Sequence, residues 1–490
     1  MRFSSQTNGS PSNHHPPRHT AFIKSILNAL TRMIQNAPLT FADDKLETKP
    51  FAEKLERFLL IEHDFVDEGL VVSVNAPFGA GKSTFIEMWK SDLLDRRKSD
   101  SATPLPIVLN AWKSDYCGDP LIAILSAFTI AAEANSDGPK SSGKLRDAVK
   151  DLSWLAVSIG NDVVSKLTGV NVADLAKSPQ EKNEKRNEKP DIVKRFEERE
   201  EALSKVKFLL RESFGGESPK AIVFVDELDR CRPDFAISYL ETIKHVFDIH
   251  GLIFVIAVDY EQLKSSACAL FGHNMNFPEY LRKFIHRSFA LPQPNPNARG
   301  KLLAHYAERY LTKEAKRYPW FSIRDRLPNI TELLSTLAIT PRQVQEVFRI
   351  VGHLVGLSKK PAGDMHWCYG VGGILMAGLK VANPPMYHGI GTGSKSYPDV
   401  GRYLVTLLGV DRGEWWFLVY LAGSLRGDVG QIEDISAIME NSGFGTSKRF
   451  QRIKDFAGQF FMGWGDGVYN YKSPIVGVYA RIESAEAFGS

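Results

Sequence analysis

A chain of 490 residues with 43% hydrophobic, 24% charged and 11% aromatic residues lies in the ordinary globular range. It is too long for one core at ~150 residues per domain, so two or three domains are expected. A formal net charge of only +4 gives no support to a nucleic-acid or anionic-membrane partner, although a local basic patch is compatible with it. The four cysteines, Cys117, Cys231, Cys268 and Cys368, stand singly; without a CxxC pair or zinc-ligand spacing they read as reduced thiols.

In chain order, residues 1–20 carry Ser, Asn, Pro and His but no apolar h-region, which reads as a disordered leader rather than a secretory signal and points to a cytoplasmic protein. Residues 21–40 hold an amphipathic helix, with Phe22, Ile23, Ile26, Leu27, Leu30 and Met33 at helical spacing, suited to docking on the body or on a partner. A second helix is predicted over 50–62, followed by a buried strand, VVSVN, at 71–75. Next come the strand PIVLN at 106–110 and the helical LIAILSAFTIAAEA at 121–134. The stretch 136–150 is loop-like, and 152–176 is apolar but broken by Asn161, Asp162 and Lys166, a profile that suits an inserted subdomain.

From 180 to 202 both charge signs are dense, while Ile192, Phe196, Leu203, Val206 and Leu210 recur at helical intervals; a long exposed helix is expected. Two strands ending in acidic residues follow, AIVFVDE at 221–227 and LIFVIAVD at 252–259, then a short one near 288–292. Strand and helix alternate as in a three-layer α/β fold with a parallel sheet. Beyond Pro292 helical patterns take over, with no repeat of 20 to 50 residues. The most apolar runs, 370–379 and 415–425, fall short of the roughly 20 residues a membrane span needs and read as core helices.

The chemistry begins where the first strand ends. APFGAGKST at 76–84 fills the pattern GxxxxGK[ST] except that Ala76 stands at the first glycine. A phosphate chain needs inward-facing backbone N–H groups, a helix N-terminus behind them and a cation. Gly79, Ala80 and Gly81 supply the loop, Lys82 reaches the β- and γ-phosphates, Ser83 ligates Mg²⁺ and Thr84 lies near the α-phosphate. AIVFVDELDRC then places Asp226 to hold the Mg²⁺ shell and Glu227 to orient and deprotonate the attacking water. Four further positions are weaker: Asp259 is either a γ-phosphate sensor or a helix cap, and Arg282, Lys283 and Arg287 are either arginine-finger groups or surface charges. Arg342, at the start of a helix in the C-terminal part, is either a group that reaches the nucleotide across the domain boundary or an ordinary helix-start basic residue.

These strings resemble the KAP family of P-loop NTPases. The family pattern is a small-x-W-G-x-G-K-S loop, an N-x-W segment, a strand ending D-x-L-D-R-C-x-P and a strand ending in Asp. Here these are APFGAGKS, Asn110-Ala111-Trp112, Asp226 to Pro233, and VIAVD; YLRKFI, TPRQV and LKVANPPMY also match. Phe78 replaces the usual Trp, and the transmembrane pair of many members is missing. The resemblance covers about residues 40–390 and implies an additional-strand P-loop fold, with the second strand between the two motif strands, followed by a mainly helical C-terminal domain. It further implies ATP and Mg²⁺ as cofactors, with ATP preferred over GTP on the family alone. It also implies a role in prokaryotic anti-phage or anti-plasmid defence through a protein partner or homo-oligomer.

The division expected is a leader at 1–20, a helix at 21–40, the NTPase domain at 41–292 with a helical insertion at 136–215, its helical C-terminal part at 293–390, and a region without an assigned role at 391–490. The function expected is Mg-dependent ATP hydrolysis driving a conformational switch. The alternatives are an ATP-binding assembly scaffold with little hydrolysis, a DNA-acting ATPase and, more remotely, phosphoryl transfer to a small metabolite.

Overall fold

The computed structural model describes residues 40–134, 147–148, 192–311, 326–356, 367–425, 432–441, 443, 464 and 473–487. The expected leader, the helix at 21–36, the apolar stretch at 152–176 and most of the charged tract at 180–202 lie outside the described residues.

Short β-branched runs form the centre. Strands β1 (Leu70–Asn75), β2 (Leu105–Asn110), β3 (Ala221–Asp226), β4 (Leu252–Val258) and β5 (Arg287–Ala290) make one sheet in the order β2-β3-β4-β1-β5. All pairings are parallel. Every residue of β3 and β4 is buried, as parallel strands covered on both faces require. This corrects one expectation: β4, not β2, stands between the two motif strands, and β2 is an edge. The fully apolar LIFVIAV of β4 suits the centre, whereas Val108 and Asn110 of β2 are only partly buried.

Alternation along the strands sorts side chains into two layers. On one face Val223, Val225, Phe254 and Ile256 pack with helices α3 (Pro120–Ala134), α4 (Ile192–Phe214), α5 (Pro233–Val246) and α6 (Tyr260–Phe271). On the other, Val72, Val74, Phe224 and Val255 pack with α1 (Lys49–His63) and α2 (Lys82–Arg97), where Phe85 and Trp89 are buried. At about 1.5–3 kcal/mol for each large apolar side chain buried, these two layers hold the sheet flat against its helices. Helix α4 is amphipathic as its periodicity predicts: Val206, Leu209, Leu210 and Phe214 belong to the core, while Glu200, Glu201, Lys205, Arg211 and Glu212 are exposed.

After β5 the regular elements among the described residues are all helices: α7 (Pro296–Leu311), α8 (Leu327–Thr336), α9 (Pro341–Gly356), α10 (Trp367–Ala382), α11 (Pro384–Thr392), α12 (Tyr397–Leu408), α13 (Val410–Ser424), α14 (Ile432–Asn441) and α15 (Pro474–Ala487). They share a third core that includes the two most apolar runs, on α10 and α13. Those runs are apolar on all sides because the bundle surrounds them. Among the described residues no helix is long and apolar enough to cross a membrane.

The indole of Trp464 fills the space left by two glycines: a Cβ on Gly372 would lie 2.2 Å from its Cη2, and one on Gly423 2.5 Å from its Cζ2. Its Nε1–H donates to the Val419 carbonyl at 3.1 Å. Gly372→Val must therefore displace the ring and break that bond, and is expected to destabilise the bundle by about 1–3 kcal/mol. Denaturant unfolding followed by circular dichroism measures this, and an unchanged midpoint would contradict the packing described.

Candidate functional site

Because all strands run in parallel, their C-terminal ends share one edge, and each site segment leaves from it. The loop after β1 keeps pairing for one more residue, with Ala76 N–H donating to the Val258 carbonyl at 3.1 Å. Ala76 is 3% exposed and is not among the residues with positive φ, so the position tolerates the Cβ that a glycine would lack. The loop then needs two left-handed residues, and glycine stands at both, Gly79 at φ 80° and Gly81 at φ 100°. Ala80 N–H closes the intervening turn on the Pro77 carbonyl at 3.2 Å. Gly81 opens α2, whose first turn carries Lys82, Ser83 and Thr84 and, like any helix start, has N–H groups without intrahelical partners.

Lys82 is 8% exposed. Its ammonium donates to the Ala76 carbonyl at 2.6 Å and lies 3.4 Å from Asp229 Oδ2. Asp229 also accepts from Asp259 N–H at 2.7 Å. Asp259 follows β4 and divides its oxygens: Oδ1 accepts from Glu261 N–H, capping α6, and Oδ2 accepts from Phe78 N–H at 3.0 Å. The phosphate loop is thus tethered to the ends of both acidic strands before any ligand is considered.

Asp226 closes β3 opposite Asn110 of β2 and is 8% exposed. Burial raises its pKa, a hydrogen bond with the Ser83 side chain lowers it, and the charges of Glu227 and Asp229 raise it further. A buried carboxylate beside a hydroxyl, with two more carboxylates near it, favours a divalent cation, which restores the charged form. Ser83 and Asp226 therefore fit Mg²⁺, an ion that takes one or two carboxylates and completes its shell with water and phosphate oxygens. No group of three His, Cys, Asp or Glu side chains able to hold a metal occurs among the described residues.

Glu227 adopts a left-handed conformation, φ 60° and ψ 27°, which costs a non-glycine residue about 1–2 kcal/mol. The turn directs its carboxylate towards β2. Oε2 accepts from Asn110 Nδ2 at 2.8 Å, and Oε1 lies 3.2 Å from Arg230 Nη1. Arg230 also lies over the ring of Phe78, 4.7 Å from its centroid, and 5.5 Å from that of Trp112. The neighbouring Cys231 is buried, which pushes its thiol up to about 12 and leaves it a packing group rather than a nucleophile. Arg232 fastens the same segment to the turn after β2, with Nε 3.0 Å from Asp115 Oδ1 and N–H 3.1 Å from Oδ2.

From the helical side, Arg342 at the start of α9 donates its backbone N–H to the Gly79 carbonyl at 3.2 Å. Its guanidinium covers Phe78 from 4.7 Å. A Cβ on Gly79 would come within 2.8 Å of Arg342 Cβ and 3.0 Å of Thr340 Oγ1, so the glycine also admits the helical domain to the loop. Lys82, Ser83, Asp226, Glu227, Asp259 and Arg342 are thereby brought together. Arg282, Lys283 and Arg287 are not. Arg282 pairs with Glu279 at 3.0 Å, Lys283 lies over the Tyr280 ring, and Arg287 pairs with Glu62 at 2.9 Å. Arg287 opposes Val72, three residues, or about 10 Å, before the end of β1.

Asn110, Asp229 and Arg230 have no separate role in the sequence pattern, although each stands in a string that carries the family resemblance. Asn110 ends β2, and Asp229 and Arg230 lie in the short turn after β3, positions that acquire meaning only when the strand order is known.

The comparison with curated proteins returned no match. Among solved structures, the chain is similar to the Aeropyrum pernix ORC2 protein in its ADPNP–ADP complexes, at 11% identity over 90% of this chain and 95% of that one, with a TM-score of 0.34. The model of the KAP family P-loop domain matches residues 48–357, more than half of the 490 and the whole site just described. The chain belongs to the KAP family of P-loop NTPases.

Proposed function

We propose that this protein binds Mg-ATP and hydrolyses it, and that turnover repositions the helical domain on the nucleotide-binding core. The observation that carries this reading is the meeting of Lys82, the Ser83–Asp226 pair and Glu227 at one sheet edge, within a family of P-loop NTPases. In this reading Lys82 leaves Asp229 for the terminal phosphates, a stronger and doubly charged partner. Ser83 and Asp226 hold Mg²⁺, which when bound neutralises charge on the phosphates. Glu227 accepts a proton from the attacking water once it turns from Asn110 and Arg230. Asp259 keeps the loop in shape through the Phe78 amide. Arg342, already on the loop, transmits its movement to α9.

A second reading, an ATP-gated assembly scaffold with negligible hydrolysis, is favoured by one observation: both oxygens of Glu227 are engaged by the protein itself. Action on DNA has no comparable support, since net charge is only +4. A part in anti-phage or anti-plasmid defence, with a protein partner or second copy, extends the proposal on the strength of the family resemblance.

Mg-dependent phosphate release decides between hydrolysis and scaffold. Lys82→Ala and Glu227→Gln are each expected to lower turnover by about 10²-fold or more, with ATP binding retained only in Glu227→Gln. Wild-type protein that binds ATP yet releases no more phosphate than these variants would overturn the enzymatic reading and favour the scaffold. A second expectation concerns the restraint on Glu227: Arg230→Ala should raise basal kcat several-fold by releasing the carboxylate. A fall in kcat would instead mark Arg230 as a group that stabilises the transition state.

A further inference from the structure

Exposed apolar side chains gather at two opposite edges of the sheet. Where the strands end, Phe78 of the phosphate loop, Trp112 in the helical turn after β2 and Tyr116 just beyond it are each about half exposed. Arg230 lies between the first two rings, 4.7 Å from the centroid of Phe78 and 5.5 Å from that of Trp112. Lys113 and Arg342 are exposed on the same rim, and neither has an ion-pair partner among the described residues. The carboxylates of this edge lie further in: Asp226 is buried, and the side chains of Asp229 and Glu227 are largely covered. The rim therefore turns ring faces and cations outward.

At the edge where the strands begin, the last turn of α1 and the chain leading to β1 carry Ile61 and Phe65, with Phe65 79% exposed. Two carboxylates flank that ring. The side chain of Asp64 is 72% exposed, 3.7 Å from the buried His63. Asp67 is exposed and has no ion-pair partner among the described residues. β1 separates the two patches by about 20 Å, running from Leu70 near the acidic knob to Asn75 before the phosphate loop. Grouped exposed aromatics mark interaction surfaces, and Trp, Tyr and Arg are the side chains that dominate binding energy where surfaces meet. Here one patch offers a ring between two acids, and the other offers rings between bases.

We propose that a second copy of this chain docks its Ile61–Phe65 knob on the Phe78–Trp112–Tyr116 patch of the first, with Asp64 and Asp67 meeting Lys113, Arg230 and Arg342. The matching charges and apolar groups on the chain itself make a second copy the occupant. Because the two patches differ and lie at opposite edges, the contact is head-to-tail and repeats from copy to copy. It also reaches the candidate site. Arg230 holds Glu227 Oε1 through Nη1 at 3.2 Å, and its guanidinium has further N–H donors. A carboxylate of the next copy competes for that guanidinium and loosens its hold on Glu227. Assembly then releases the group that hydrolysis needs. This last step rests on the reading of Glu227 as a proton acceptor restrained by Arg230; the contact between copies does not.

Sedimentation velocity from about 1 to 100 µM, the range in which a small interface associates, tests the contact on wild type, Phe65→Ser, Trp112→Ala and an equimolar mixture of the two variants. Wild type is expected to grow in mass with concentration and each variant to stay monomeric. The mixture should form a dimer, because each variant keeps the patch that the other has lost. Tyr116→Ala replaces Trp112→Ala if circular dichroism shows the latter unfolded. A monomeric wild type, association of Phe65→Ser like that of wild type, or a mixture that stays monomeric overturns the contact. Phosphate release per chain, read on the same samples, should rise several-fold with concentration in wild type and stay at its dilute value in Phe65→Ser. Assembly without that rise overturns the link to Glu227 and leaves the contact in place. Assembly with no phosphate release at any concentration overturns the hydrolytic reading and the link with it, while a dimer in the mixture still establishes the contact.

Discussion

All five strands run the same way, so the sheet has a single edge at which every strand ends, and the candidate site depends on that constraint. In an open parallel sheet each strand end is followed by a crossover, and the loops that begin there face one crevice. The phosphate loop follows β1, Asn110 ends β2, Asp226 ends β3 and Asp259 follows β4. Placing β4 between β1 and β3 sets Asp259 between the loop and the acidic turn, where it bonds Phe78 and Asp229 together.

At that edge the charges are arranged against one another. The ammonium of Lys82 is balanced by Asp229, and Glu227 by Arg230, while burial and the neighbouring carboxylates raise the pKa of Asp226 against the lowering by its Ser83 bond. Each pair is partly or wholly withdrawn from water, so a ligand that replaces one partner changes the balance of its neighbours with little solvent screening. Such an arrangement suits a site whose state is set by what occupies it. The strained turn at Glu227 belongs to the same logic, because an uncommon backbone conformation survives only where its surroundings hold it.

The helical domain enters this network through a small contact. Gly79 has no side chain, so Thr340 and Arg342 can approach the loop backbone, and Phe78 stands between two guanidinium groups, one from the strand region and one from α9. A cation over an aromatic face is worth about 0.5–1 kcal/mol at an exposed site, well below what the cores on either side contribute. A contact of that strength can be broken and remade without unfolding either part. The substitution of Phe78 for the family's Trp keeps the aromatic face on which both cations rest.

Much of this protein was legible in its residues. The glycine-rich loop, the acidic strand end, the parallel α/β plan and the helical tail are written in short strings, and their chemistry is set by neighbours a few positions away. Arg342 also stood out, by its place at a helix start. The helix cap made by Asp259 was one of the readings its position offered, but the fate of Glu227 was not legible, because Asn110 lies 117 positions from it, nor was the bond from Phe78 to Asp259, 181 positions apart. Strand order, the burial of Asp226 and the sorting of Arg287 away from the loop belong to the same class. The sequence by itself determined which groups could bind phosphate and metal; tertiary structure alone decided which of them meet. Contacts between distant residues exist only after two buried layers have brought their strands into register, and no local pattern carries that energy.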